Sequence, residues 1–392
     1  MLPASSHCVV TSIQALYLHV PFCHTICPFC AFAVHGNRTA LHRPYLDALR
    51  DEIALRGKTH GTPASAVRAV YIGGGTPSTL ALDDVAHMLQ SLRRNFKLAP
   101  DAEIAFEVNP EDALPEYLAG LLALGINRIS LGLQSFDGAT LAALGRGHDA
   151  GQSRAAAEAL QSAGPDNFNL DLLHGAPGIG GEAFRRDVQA ASDLRPAHLS
   201  VYILDVEPGT LFARNPQVRQ WAATHREAQG EAFLWASDFL TARGYRHYEV
   251  SNYCLPGREG RQNLLVWEGA NYLGFGTGAH SHVDGMRWHN HRHLRPYLRC
   301  LEKGRAPDHY RESLTPAQRA NEALMLALRR DTGIDVAQWE RTYGFLWGSR
   351  RERIAHRLVQ EHKARRDGSR LALTPQGFLL ADGITEQLMV ES

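Results

Sequence analysis

One supersecondary pattern recurs six times between residues 15 and 206: a short apolar run, a polar or glycine-rich turn, then an amphipathic helix. The apolar runs are Leu16–Val20, Ala69–Ile72, Ile104–Val108, Arg128–Leu133, Phe168–Leu172 and Leu199–Leu204. They are nearly continuous rather than alternating, as strands buried on both faces of a parallel sheet require. Between them, Val85, Leu89, Leu92 and Phe96 share one helical face behind Asp83 and Asp84, which suit the positive end of a helix. Leu118, Leu121 and Leu122 repeat this arrangement, with Pro115 in the first turn and Gly125 as the stop. Glu182–Leu194 reads as another such helix. Strands alternating with helices imply a parallel sheet with right-handed crossovers, either open and doubly wound or curled into a barrel.

The polar residues favour the barrel. A cysteine loop follows the first strand, Gly73-Gly74-Gly75-Thr76 the second, and Glu107 and Asn109 end the third. Gln134 follows the fourth, Asp171 lies in the fifth, and Asp205 and Glu207 end the sixth. Convergence of polar groups from many strand ends is how (β/α) barrels build sites, whereas an open sheet gathers them at one switch point. The expectation is an α/β protein: a partial (β/α)6 barrel over 1–210, a helix and strand extension over 211–305, and a C-terminal unit over 306–392.

Three of the six cysteines, Cys23, Cys27 and Cys30, fall within eight residues. A disulfide framework spreads its partners along the chain, so this local group points to a metal in a reducing compartment. Three thiolates leave one iron of a [4Fe–4S] cube open for another ligand. The rival reading is zinc, which needs four ligands, normally in two separated pairs, with His35 as a possible fourth.

Downstream, Val218–Arg243 reads as one helix stopped by Gly244, followed by short strands around Tyr245–Ser251 and Tyr272–Phe275. From about Leu314, helices lead to a strand at Arg370–Leu373 and a final helix, a winged-helix-like order. Residues 305–370 carry 14 basic against 9 acidic side chains, an excess small enough to be a solvated face, so no nucleic acid is expected. The whole chain balances 41 basic against 41 acidic residues, which gives no general pull toward polyanions. No apolar run approaches the ~20 residues of a membrane span. The first twenty residues hold no Lys or Arg, unlike a secretory signal, and a cytoplasmic protein is expected.

Leu16–Phe32, with Tyr17, His19-Val20-Pro21 and the C-x3-C-x2-C spacing, resembles the radical-SAM superfamily. More narrowly, it is similar to the group containing oxygen-independent coproporphyrinogen III oxidase and the HemW haem chaperones. The likeness continues through Tyr71–Ser78, Glu107–Pro110, Leu131–Phe136, Leu144–Arg146, Asn169–Leu172, Ser251–Tyr253 and Tyr272–Ser281 into the C-terminal unit.

The resemblance implies that Cys23, Cys27 and Cys30 bind a [4Fe–4S] cluster whose open iron chelates S-adenosylmethionine. It places Tyr17, Gly74, Gly75, Thr76, Glu107, Gln134, Arg146 and Asp171 at that cofactor or a second copy of it. Two departures bear on the subgroup. The oxidases carry a further cysteine where this chain has Phe32; the chaperones have an aromatic residue there. The chaperones' haem-linked HNxxYW motif reads here Gln262-Asn263-Leu264-Leu265-Val266-Trp267, without its His and Tyr. His280 is then a candidate haem ligand, with His289, His291 and His293 read as surface residues. The resemblance implies a haem chaperone that passes haem to an acceptor protein. A radical-SAM methyltransferase using two S-adenosylmethionine molecules, or the porphyrinogen oxidase, stays open as the alternative.

Overall fold

The computed structural model describes residues 12–36, 39–61 and 66–391. All six expected strands are present: β1 (Ala15–Val20), β2 (Val67–Gly74), β3 (Leu98–Val108), β4 (Arg128–Gln134), β5 (Phe168–His174) and β6 (His198–Ile203). They pair in parallel in chain order. Leu16, Leu18, Val20, Ile72, Phe106, Leu131, Leu170 and Leu199 form the core of this sheet with the flanking helices.

The sheet grows at both edges. β7 (Arg246–Glu249) and β8 (Asn252–Cys254) form a hairpin that adds to β6 through β8. β9 (Tyr272–Phe275) pairs in parallel with β1, and β10 (His280–Val283), β11 (Met286–Asn290) and β12 (Asp308–Ser313) continue it antiparallel. The result is a twelve-stranded sheet from β12 to β7 whose edge strands do not pair with each other among the described residues. It is a barrel left open on one side.

Buried polar groups clamp the β9–β12 extension onto helix His42–His60. The Glu52 carboxylate accepts from the Gly276 N–H at 2.8 Å, the Tyr297 hydroxyl at 2.8 Å, the Asn290 amide at 2.8 Å and Arg56 at 2.9 Å. Every partner lies in the extension or on the same helix, so Glu52 fixes the Gly276 turn against the barrel.

The C-terminal unit runs helix Pro316–Leu328, β13 (Ile334–Asp335), helices Val336–Tyr343 and Gly348–Gln360, then β14 (Ala364–Asp367) and β15 (Arg370–Leu373). Its small sheet has the order β13–β15–β14, the topology expected of a winged-helix-like unit. Trp339, Trp347, Leu324 and Leu371 centre its core, which also takes in Phe233 of helix Arg226–Ala242. The unit reaches both ends of the sheet: Arg246 of the edge strand β7 donates to both oxygens of Asp331, and Arg287 of β11, next to the edge strand β12, donates to Glu322 at 2.7 Å. Both contacts fall in register with the N-terminal ends of the barrel strands, His198 of β6 and Ala15 of β1.

The single helix expected over Val218–Arg243 is two, Pro216–Thr224 and Arg226–Ala242. The Thr224 hydroxyl donates to Gln220 O and Trp221 O, and the His225 ring stacks on Trp221 and bonds its carbonyl at 2.8 Å. Side chains that capture helix carbonyls in this way break the backbone ladder.

Candidate active site

Several contacts fix the cysteine loop at the C-terminal end of β1. Phe22–Cys23 pairs in parallel with His35–Gly36, and Gly75 N–H donates to Val20 O at 2.8 Å. Further along, Phe212 N–H donates to Pro28 O at 3.0 Å, and His24 meets Asp112 at 2.9 Å. Gly74 has φ +117°, and a Cβ there would strike the His19 ring; one on Gly75 would meet Phe22 O at 2.8 Å. The two glycines let the second strand end press directly under the loop.

Cys23, Cys27 and Cys30 line a cavity of about 330 Å³ together with Gly74, Gly75, Thr76, Glu107, Gln134, Arg146 and Asp171. The structure therefore brings together every residue expected at the site except Tyr17. Tyr17 stands behind Tyr71, with ring centroids 6.2 Å apart, and its hydroxyl meets His19 Nδ1 at 2.9 Å. Asp205 and Glu207 are exposed and lie outside the cavity. Tyr71, Tyr202 and Phe32 line it as well, and sequence reasoning gave them no role in it.

Glu107 accepts the Tyr71 hydroxyl at 2.7 Å and the Gly74 N–H at 3.0 Å. Burial pushes its carboxyl up to about 7 against those two hydrogen bonds, with Asp171 adding to the rise. Asp171 is also raised by burial, opposed by Ser200, Asn169 and Ser130. Gln134 holds a left-handed backbone, φ 66°, where the β4–β5 register shifts. A non-glycine residue in that region is uncommon and clusters at functional sites. Arg146 donates to Gly132 O at 3.0 Å, Asn109 Oδ1 at 3.1 Å and Cys27 Sγ at 3.3 Å. Its buried Nε has no partner among the described residues.

Burial raises the Cys23 thiol to about 11, opposed by the Thr76 hydroxyl, and raises Cys30 as well. Binding metal here therefore has to displace protons. Among the described residues no three His, Cys, Asp or Glu side chains converge on a single ion. A cube would spread its thiolates over separate irons. Three thiols on a pinned loop, a guanidinium with an unused donor and glycine backbone at the cavity wall fit an anionic cluster with a zwitterionic cofactor.

The segment matching the haem-linked motif lies elsewhere. Gln262 is 7% exposed on helix Arg261–Trp267, and Leu265 of that helix packs on Ala15 and Ala69. Those are the N-terminal ends of β1 and β2, opposite the cysteine loop. His293 is exposed as expected, but His289 and His291 are half-buried and gather with His280 and His309. No sequence signal joined His309 to this group, because it arrives on a different strand.

Residues 17–191 match the profile of the radical SAM superfamily, and 314–380 that of the HemN C-terminal domain. Heme chaperone HemW of Mycobacterium tuberculosis (strain ATCC 25618 / H37Rv) is 37% identical over 95% of this chain and 94% of its own length. Anaerobilin synthase of Escherichia coli O157:H7 is 30% identical over 96% of this chain and 83% of its own. The solved structure of coproporphyrinogen III oxidase (HemN) from Escherichia coli superposes with a TM-score of 0.79 at 24% identity, covering 97% of this chain and 91% of that one, and shows the shared fold.

Fold and site define a radical-SAM protein, a class whose domain carries a [4Fe–4S] cluster and S-adenosylmethionine. Within that class the chain belongs to the HemW haem chaperone family. No helix among the described residues is long and apolar enough to cross a membrane.

Proposed function

We propose that this chain is a haem chaperone that carries its cluster on Cys23, Cys27 and Cys30, holds S-adenosylmethionine in the adjoining cavity and passes haem to an acceptor protein. The observation that carries the reading is the cavity itself: three thiols line it, with Arg146 against the Cys27 sulfur and Glu107, Gln134 and Asp171 in the same lining. When bound, the cluster supplies an open iron for the amino and carboxyl groups of S-adenosylmethionine. The chain's own residues orient and charge-match that cofactor. Arg146 offers donors to an anionic group, Glu107 and Asp171 offer acceptors to a cationic one, and the glycine backbone admits close approach.

The test is anaerobic: reconstituted protein loaded with haem is mixed with an apo-haem protein while S-adenosylmethionine cleavage is followed in parallel. Transfer of haem with the chaperone recovered intact supports the proposal. Absence of haem uptake, together with cleavage and a methylated product, would replace it with a methyltransferase.

A further inference from the structure

Resting on the reading that this chain carries haem, we propose that haem iron is ligated by an imidazole of the His280–His289 pair on the inner face of the sheet extension, and not in the Gln262 segment. The two residues are cross-strand partners on β10 and β11, with ring centroids 5.0 Å apart. Partners in an antiparallel pair point to the same face. The opposite face of β11 is spoken for: Trp288 and Asn290 are buried against helix His42–His60, where Arg56 lies 5.6 Å from the Trp288 ring and donates to Asn290 at 2.8 Å. His280 and His289 therefore face the barrel interior, on the same surface as Tyr17 of β1, and His280 is exposed.

His289 is prepared as a ligand. Its Nδ1 lies 3.1 Å from Asn290 O, a hydrogen bond only an N–H can make to a carbonyl. That fixes the tautomer and leaves Nε2 with its lone pair, the arrangement that orients imidazoles toward metals. Tyr310, 52% exposed, stacks beside His289 at 5.9 Å. Haem is a flat apolar ring with an iron that accepts an axial imidazole and two carboxylates at its edge. Each part finds a counterpart here: an imidazole for iron, and the aromatic surface of Tyr310 beside it for the ring. For the carboxylates there is Arg292, exposed and donating to Ala31 O of the cysteine loop. No three of the described metal-binding side chains converge on one point, so the group is not a cage for a free ion. Haem needs no such cage, because the porphyrin supplies four nitrogens itself.

The experiment is haem titration of the full chain with its cluster reconstituted, followed by the Soret band. His280→Ala, His289→Ala, the double variant and Gln262→Ala are compared with wild type. The double variant should bind at least about tenfold more weakly, the loss typical of removing a ligand or its support. His289→Ala should recover an imidazole-type Soret band when free imidazole is added, a rescue that a purely structural role would not give. Gln262→Ala should bind as wild type does. Wild-type affinity and spectrum in the double variant would overturn this site and leave the chaperone reading standing. Absence of haem binding by wild type would overturn both.

Discussion

The Arg146 guanidinium sits 3.3 Å from the Cys27 sulfur while its other arm is held by Asn109 and Gly132. A neutral thiol is a weak acceptor and a thiolate a strong one, so this contact strengthens once the sulfur is ionised. The loop after β4 thus delivers a fixed positive charge to the cysteine loop after β1.

Arg146→Ala should leave the fold intact and weaken S-adenosylmethionine binding by about tenfold or more, since a charged hydrogen-bond donor is worth roughly 1.5–3 kcal/mol. Arg146→Lys should recover only part, because the amine cannot reach sulfur, amide and carbonyl together as the planar fork does. The change in the cluster's EPR spectrum on adding the cofactor measures this. Equal cofactor affinity in wild type and Arg146→Ala would remove Arg146 from the site.

Glu249 gives a pH dependence. It is 1% exposed, and burial raises its carboxyl from 4.5 to about 7. A raised folded-state pKa means the folded protein holds this proton more tightly. The stabilisation is complete below pH 4.5 and is lost as pH rises through about 7. Wild type should therefore lose stability relative to Glu249→Gln between pH 5 and 8, by up to about 3 kcal/mol. Urea midpoints for both proteins at the two pH values decide it, and a constant difference would refute it.

Glu52→Ala should be among the most damaging single changes, costing about 3–5 kcal/mol, because it leaves buried Arg56 with Asp308 alone and strips the Gly276 N–H and the Tyr297 hydroxyl of their acceptor. The same variant should weaken haem binding, since Glu52 holds the Gly276 turn that leads into His280. Denaturant unfolding and haem titration test the two effects; a loss below about 1 kcal/mol would put this pair in the class of surface bridges.

Four buried histidines act in the opposite sense from Glu249. Burial lowers His19, His148, His174 and His247 to about 4. A depressed pKa gives stability that is present above the unfolded value of about 6.5 and lost as pH falls through 4. His247, stacked on Tyr253 at 4.1 Å, is the clearest case. The fall in melting temperature between pH 6.5 and 5 should be smaller in His247→Phe than in wild type. An identical fall in both would show that His247 does not drive it.

The barrel was readable because strands buried on both faces leave unbroken apolar runs, and the helices between them keep a clear face. The cysteine loop was readable because its spacing is local. Pairings between distant segments were not. Nothing in Tyr272–Phe275 announces that it joins β1 in parallel, since a strand's partner is chosen by tertiary packing. The same limit hid the gathering of His280, His289, His291 and His309, and the placing of Tyr17 behind Tyr71. Gln262 could be seen to lack the motif's imidazole, but only the packing of Leu265 on Ala15 and Ala69 shows that it lies at the other end of the barrel.

The central claim is that Cys23, Cys27 and Cys30 hold the cluster, and its most direct test is iron and acid-labile sulfide analysis with EPR on anaerobically reconstituted protein. Wild type, Cys254→Ala and Cys300→Ala should each hold one [4Fe–4S] cluster; Cys8, outside the described residues, should be equally dispensable. Cys23→Ala, Cys27→Ala and Cys30→Ala should each abolish the signal, because each removes the thiolate of one iron. Zinc in place of iron in wild type, or a full cluster in Cys27→Ala, would contradict the account.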